Sequence, residues 1–136
     1  MEHDMTVVRW ILVLALAAFF VFMGVQKFGA ENVVFATIAK NSGISLFEPL
    51  VRMITGAAEI LTALLLVIPK MRTNGARIAL LILLGAIGFH LSPWLGISVE
   101  GTGHSLFMMA IGGFILTCTV LLLERLASKR TTERKH

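Results

Sequence analysis

The stretch GAAEILTALLLVIP, residues 56–69, decides the fold. From Ile60 to Ile68 every residue is apolar except Thr62, and Pro69 follows as a stop, so the run reads as one helix, apolar on nearly every face. Glu59 is the exception that needs a reason. A carboxylate in such surroundings either faces a specific partner or lines a path or pocket.

Three more stretches share this character. Residues 7–27, 49–68, 74–90 and 104–123 are each about as long as the roughly 17 to 25 residues that cross a hydrocarbon core. The whole chain agrees: of 136 residues, 57% are hydrophobic and only 15% charged, the inverse of a soluble domain. No linker rich in serine, proline or glycine divides it, so residues 1–136 form one integral membrane domain. The expectation is an all-α fold, a four-transmembrane-helix bundle with a short interfacial helix in the first outer loop and a basic tail over residues 124–136. A cleaved signal is disfavoured, because the first apolar run is too long, its head carries Glu2 and Asp4, and no A-x-A site follows.

Basic residues set the orientation. With both termini cytoplasmic, nine of the 12 lysines and arginines fall inside and three outside, namely Lys27, Lys40 and Arg52. This places the chain in the cell (inner) membrane, with outer loops over residues 28–48 and 91–103. The tail ERLASKRTTERKH meets anionic lipid headgroups rather than nucleic acid. In the first outer loop, Val33, Val34, Phe35 and Ile38 alternate with polar residues up to Asn41, Ser42 and Gly43, the pattern of an interfacial helix. The second loop carries Trp94 and reads as a cover over the bundle.

Templates for soluble enzymes fail: there is no C-x-x-C, H-E-x-x-H, G-x-S-x-G or Walker loop. Cys118 stands alone and reads as a packing residue without a redox role. Gly56, Ala63, Gly85, Gly88, Gly112 and Gly113 suit close helix contact. The chemistry is left to Gln26, Lys27, Arg52, Glu59, His90 and His104. Helix side chains lean toward their own N-terminus. In this topology Lys27 and His90 lean into the membrane, while Glu59, near ~15 Å depth by the 1.5 Å rise, leans outward to meet them. The three converge on one outer-leaflet pocket with Gln26 at its rim. Arg52 and His104 lean away, as gate or headgroup residues. A lysine reaching ~6 Å and a glutamate ~3 Å leave several ångströms between them, to be bridged by water or a ligand head. The plain alternative for Glu59 is a buried pair with Lys27, or a protonated carboxyl bonded to Thr55 or Thr62. His90 and His104 flank one loop, but their opposed lean and the lack of a third ligand argue against haem or metal.

The end of the first helix, FVFMGVQKF, the GAAEILTALLLVIP stretch, Arg72 and the IGFH end of the third helix together resemble the DoxX and DoxX-like small membrane proteins over nearly the whole chain. That resemblance touches Gly24, Lys27, Gly56, Glu59, Arg72 and His90. It implies a four-helix membrane bundle acting as an accessory or quinone-facing subunit of a membrane oxidoreductase. The partners would then be the lipid bilayer and a redox enzyme, with a homo-oligomer compatible, no cofactor tightly bound and quinone as the candidate ligand. The alternative is a standalone protein that binds or escorts a hydrophobic small molecule or lipid. The lack of a cysteine pair argues against thiol relay chemistry, and no catalytic residue is assigned.

Overall fold

The computed structural model describes residues 2–136. It holds five α-helices: α1 (Glu2–Val25), α2 (Val33–Ser42), α3 (Leu50–Val67), α4 (Arg72–Leu91) and α5 (Ser105–Arg134). Single 3-10 turns at Gln26–Phe28 and Ser45–Phe47 complete the helical part. Among the described residues there is no strand beyond an isolated bridge between Val99 and Gly103. Four helices, all but α2, are long and apolar enough to cross a membrane.

These four close a ring in which α1 packs on α3, α3 on α4, α4 on α5 and α5 back on α1. Val13, Leu16 and Phe20 of α1, Leu66 of α3, Ala76 and Ala79 of α4 and Val120 of α5 make the core. The outward faces are as apolar as the core, with Ile11, Leu81, Met108 and Ile115 all well exposed. A soluble bundle would show a polar stripe there.

Two of the helix contacts depend on glycine. A Cβ on Gly56 would come within 2.8 Å of the Lys27 Cβ and 3.1 Å of the Gly24 carbonyl oxygen. One on Gly75 would come within 2.9 Å of the Leu65 Cβ and 3.0 Å of the Leu66 nitrogen. Backbones therefore touch at α1–α3 and α3–α4. Of the other small residues expected at contacts, Gly113 lies against Phe19 and Ala63 is buried, whereas Gly85, Gly88 and Gly112 meet nothing within 4 Å. Cys118 is exposed on α5, not packed, because it falls on the outward face.

The ends of the long helices differ from expectation in an instructive way. The first helix begins at Glu2, not near residue 7, since residues 2–6 contain no helix breaker. The last continues to Arg134, so residues 124–134 are helical rather than a separate tail. Glu124 explains the inner part of that extension. Its Oε1 accepts from Arg9 Nη2 at 3.0 Å and from Arg72 Nη1 at 3.3 Å, which draws the α5 backbone along α1 and α4. Arg72 is 2% exposed, donates to the Leu66 carbonyl at 2.9 Å and lies over the Trp10 ring at 4.3 Å. One guanidinium thus joins three helices and the end of a fourth.

At the opposite end α2 and residues 92–104 lie across the bundle. Asn32 caps α2 by accepting from the Val34 amide at 3.0 Å, and Gly43, at φ 75°, closes it in the left-handed region that favours glycine. Ile38, Leu95 and Val99 form a small apolar cluster with Phe47, Phe89 and Leu106. The Asn41 amide donates to the Trp94 carbonyl at 2.9 Å and ties the two covering segments together.

Candidate functional site

Below this cover lies a cavity of about 450 Å³. Its walls are mostly apolar, drawn from all five helices and including Phe20, Phe35, Ile54, Leu83 and Phe89, and Lys27, Glu59 and His90 are among the polar residues that border it. Such a volume is within the range of small-molecule sites, which combine apolar walls with a few placed polar groups.

Two of these polar residues form a direct ion pair. Lys27 Nζ stands 2.7 Å from Glu59 Oε1, and the two side chains are 9% and 4% exposed. The expected gap between them does not exist, and no water or ligand is needed to bridge it. The reason is the stagger of α1 against α3. The ~15 Å offset assumed that both helices end flush, but Lys27 lies beside Gly56, so α3 continues past it by about two turns. From Gly56 to Glu59 is three residues, roughly 4.5 Å of rise, a span that a lysine side chain covers. Neither threonine meets the carboxyl: Glu59 Oε1 faces Lys27 and Oε2 has no hydrogen-bond partner, while Thr55 donates to the Val51 carbonyl at 2.8 Å and Thr62 to the Ala58 carbonyl at 2.7 Å.

The pair is incompletely satisfied. An ammonium has three donors; Lys27 directs one at Glu59 and one at the Met23 carbonyl 3.2 Å away, and among the described residues the third has no protein acceptor. Glu59 Oε2 is buried with no hydrogen-bond partner. Glu48 Oε2 and Arg72 Nη2 are likewise buried without a partner, but of the three residues Glu59 alone borders the cavity.

His90 is 5% exposed at the end of α4 and borders the cavity. Its Nδ1 lies 2.9 Å from the Gly96 carbonyl oxygen. A carbonyl only accepts, so Nδ1 carries the hydrogen of this bond. Phe107 packs against the ring with centroids 5.6 Å apart. Gln26 is exposed at the cavity rim, as its place at the end of α1 suggested.

Two candidates lie elsewhere. Arg52 is 3% exposed and neither a gate nor a headgroup ligand. Its Nη1 donates to the Lys27 carbonyl at 2.6 Å and the Gly29 carbonyl at 2.7 Å, and its Nε to Glu48 at 2.6 Å. It caps the unsatisfied carbonyls where α1 ends. The error has the same source as before: with α3 extending beyond α1, a residue two turns above Glu59 still faces the α1 terminus. His104 is exposed at the start of α5 and does not border the cavity, although Thr102 and Leu106 on either side of it do. Among the described residues no group of three or more His, Cys, Asp or Glu could hold a metal ion. Glu48, Glu124 and Arg9 are polar contacts that the reading of the sequence did not assign. The only signal for Glu124 was its place at the first charge after an apolar run.

Fold and site together define a class: a four-helix bundle with apolar outer faces, covered at one end over an apolar cavity that a buried ion pair borders. No protein-family model, curated protein or solved structure matches this chain.

Proposed function

We propose that this chain is an integral membrane protein that binds the polar head of a hydrophobic small molecule in the covered cavity. One observation carries the reading: an apolar space of about 450 Å³ is bordered by a buried ion pair in which Glu59 Oε2 has no hydrogen-bond partner and Lys27 keeps a third donor. Apolar walls recognise a hydrocarbon body, and the pair orients its head. Four apolar helices with apolar outer faces support insertion. The nine-to-three distribution of basic residues supports a cell (inner) membrane orientation with both termini cytoplasmic, the cavity outward and α2 at the interface. The resemblance to DoxX-like proteins supports a setting beside a membrane oxidoreductase, with a quinone as occupant and the chain as a quinone-facing accessory subunit. In support, Lys27, Glu59 and His90 border the cavity, while Gly24 and Gly56 allow the contact that brings the pair together.

Native mass spectrometry of the gently extracted protein tests this. The expected result is an added mass of one apolar molecule, or of a redox partner carrying it. That added mass should be lost in Ala110→Leu, where the larger side chain grows from a buried position into the cavity wall. Bare protein in every gentle extraction, or a bound mass indifferent to Ala110→Leu and to Glu59→Gln, would overturn the reading.

A further inference from the structure

We propose that the cavity opens sideways into the hydrocarbon of the bilayer, between α3 and α4, and that its ligands are membrane-dissolved molecules that enter by this route. The inference rests on the binding reading above and adds the class of ligand and its way in.

The opening shows in residues that border the cavity and face outward at once. On α1 and α5 every lining residue is buried or half-buried, Phe19, Phe20 and Met23 on the one and Leu106 and Ala110 on the other. On α3 and α4, by contrast, Ile54 lines the cavity at 59% exposure and Leu81 at 69%. Gly85, one turn beyond Leu81, also lines it and is exposed, with nothing within 4 Å of a Cβ. These two edges face each other. The helices are joined by residues 68–71, run antiparallel, and touch where Gly75 meets Leu65. Counted from that contact, seven residues lead to Ala58 and Ile82 and eleven to Ile54 and Ala86, all four of which line the cavity. The pair is therefore in contact away from the cavity and parted beside it.

Depth and chemistry make this opening a lipid-facing one. Leu81 lies at the middle of α4, roughly 15 Å from either end by the 1.5 Å rise, which in a spanning helix is the centre of the hydrocarbon core. Ile54, Ala58, Leu81 and Gly85 carry no polar side-chain atom, and the Thr55 hydroxyl beside them is spent on the Val51 carbonyl. Water finds no partner at such an edge, whereas an apolar molecule among the acyl chains passes it without leaving an apolar medium. A quinone meets that description. The other exposed lining residues, Gln26, Val33 and Thr102, lie at the covered end and mark the competing route from water.

The experiment follows duroquinone, a small apolar quencher of tryptophan, by stopped flow into the protein held in lipid nanodiscs. Trp94 is the reporter, since its ring lies 6.4 Å from that of Phe89 in the cavity wall, and Trp10→Phe removes the other of the 2 tryptophans. Collisions within the bilayer quench at once and without saturation, so the saturable phase is the filling of the cavity. Gly85→Phe plugs the opening, with Ala58→Phe from the facing edge as a second plug should the first fail to fold. Thr102→Phe narrows the covered end, and Gly88→Phe, on an exposed glycine that does not border the cavity, is the control. A plug at a mouth obstructs both directions, so it should slow filling and release alike by roughly tenfold, the cost of moving an overpacked side chain aside, and leave the affinity unchanged. The covered-end and control variants should match the parent. Filling that no plug slows, or an affinity lowered by the plug at an unchanged filling rate, would overturn the sideways route and leave the binding reading standing. No saturable quenching in the parent would overturn both.

Discussion

The buried pair gives the most direct test of the site. Lys27 and Glu59 are 2.7 Å apart with side chains 9% and 4% exposed, so removing one leaves the other's charge largely buried and without its counterion. Breaking such a pair costs about 3 to 5 kcal/mol, whereas replacing both members by apolar residues of similar size is often close to neutral. Lys27→Met also forfeits the bond to the Met23 carbonyl, worth about 1 kcal/mol. Unfolding by SDS titration from mild detergent, on the parent, Lys27→Met, Glu59→Met and the double variant, measures the cycle. Each single change should lose about 3 kcal/mol or more, and the double change no more than about 2, giving a coupling of at least about 4 kcal/mol. A double variant that loses the sum of the singles would refute the pair as an energetic unit. The double variant should also fold yet lose the bound mass, separating what holds the bundle from what holds the ligand.

Other outcomes follow from the same contacts. Gly56→Ala should destabilise by about 1 to 3 kcal/mol in the same titration, because its methyl would lie 2.8 Å from the Lys27 Cβ and the helices must part. Arg72→Lys keeps the charge but cannot serve the Leu66 carbonyl, Glu124 and the Trp10 face together, so it should lose at least about 1 kcal/mol, and Arg72→Ala about 3 to 5 kcal/mol. In a Cys118→Ser background, single cysteines at Ser42 and Ser98 should react with an impermeant thiol reagent on intact cells while one at Ser128 stays silent; the reverse pattern would invert the topology.

How much of this was legible in the sequence varies with the kind of physics involved. Helix number and the apolar character of all four long segments are summed over about twenty residues each, and no single contact can overturn such a sum. Glu59 stood out as a cost in need of a counterpart, and Lys27 as its natural candidate, because charge in an apolar run admits few solutions. The distance between them was not legible. It depends on how far α3 overshoots α1, a stagger set by backbone contact at Gly24 and Gly56 and by Arg52 reaching back to the Lys27 and Gly29 carbonyls. Hydropathy is blind to such offsets. Glu124 was missed for the opposite reason: its neighbours on α5 look like solvated tail, and only the approach of α1 and α4 shows that it is held by two arginines.

That contrast bears on what the Lys27–Glu59 pair is for. The end of the bundle away from the cavity is already joined by Arg72 and Glu124, and the end of α1 by Arg52, each bonded to several groups on neighbouring segments. A third charged link adds little that apolar packing could not supply, since a buried ion pair seldom stabilises more than well-packed side chains of the same volume. It differs from the other two in its surroundings. Arg72 Nη2 and the second carboxylate oxygen of Glu48, the partner of Arg52, are also buried without a hydrogen-bond partner, so an unmet polar atom is common to all three links; Lys27 and Glu59 differ in bordering an apolar space large enough for a small molecule. A bundle built only to be stable would have filled that space with side chains. Leaving it open beside an unfinished ion pair is the arrangement expected where the missing hydrogen-bonding atoms arrive with a ligand.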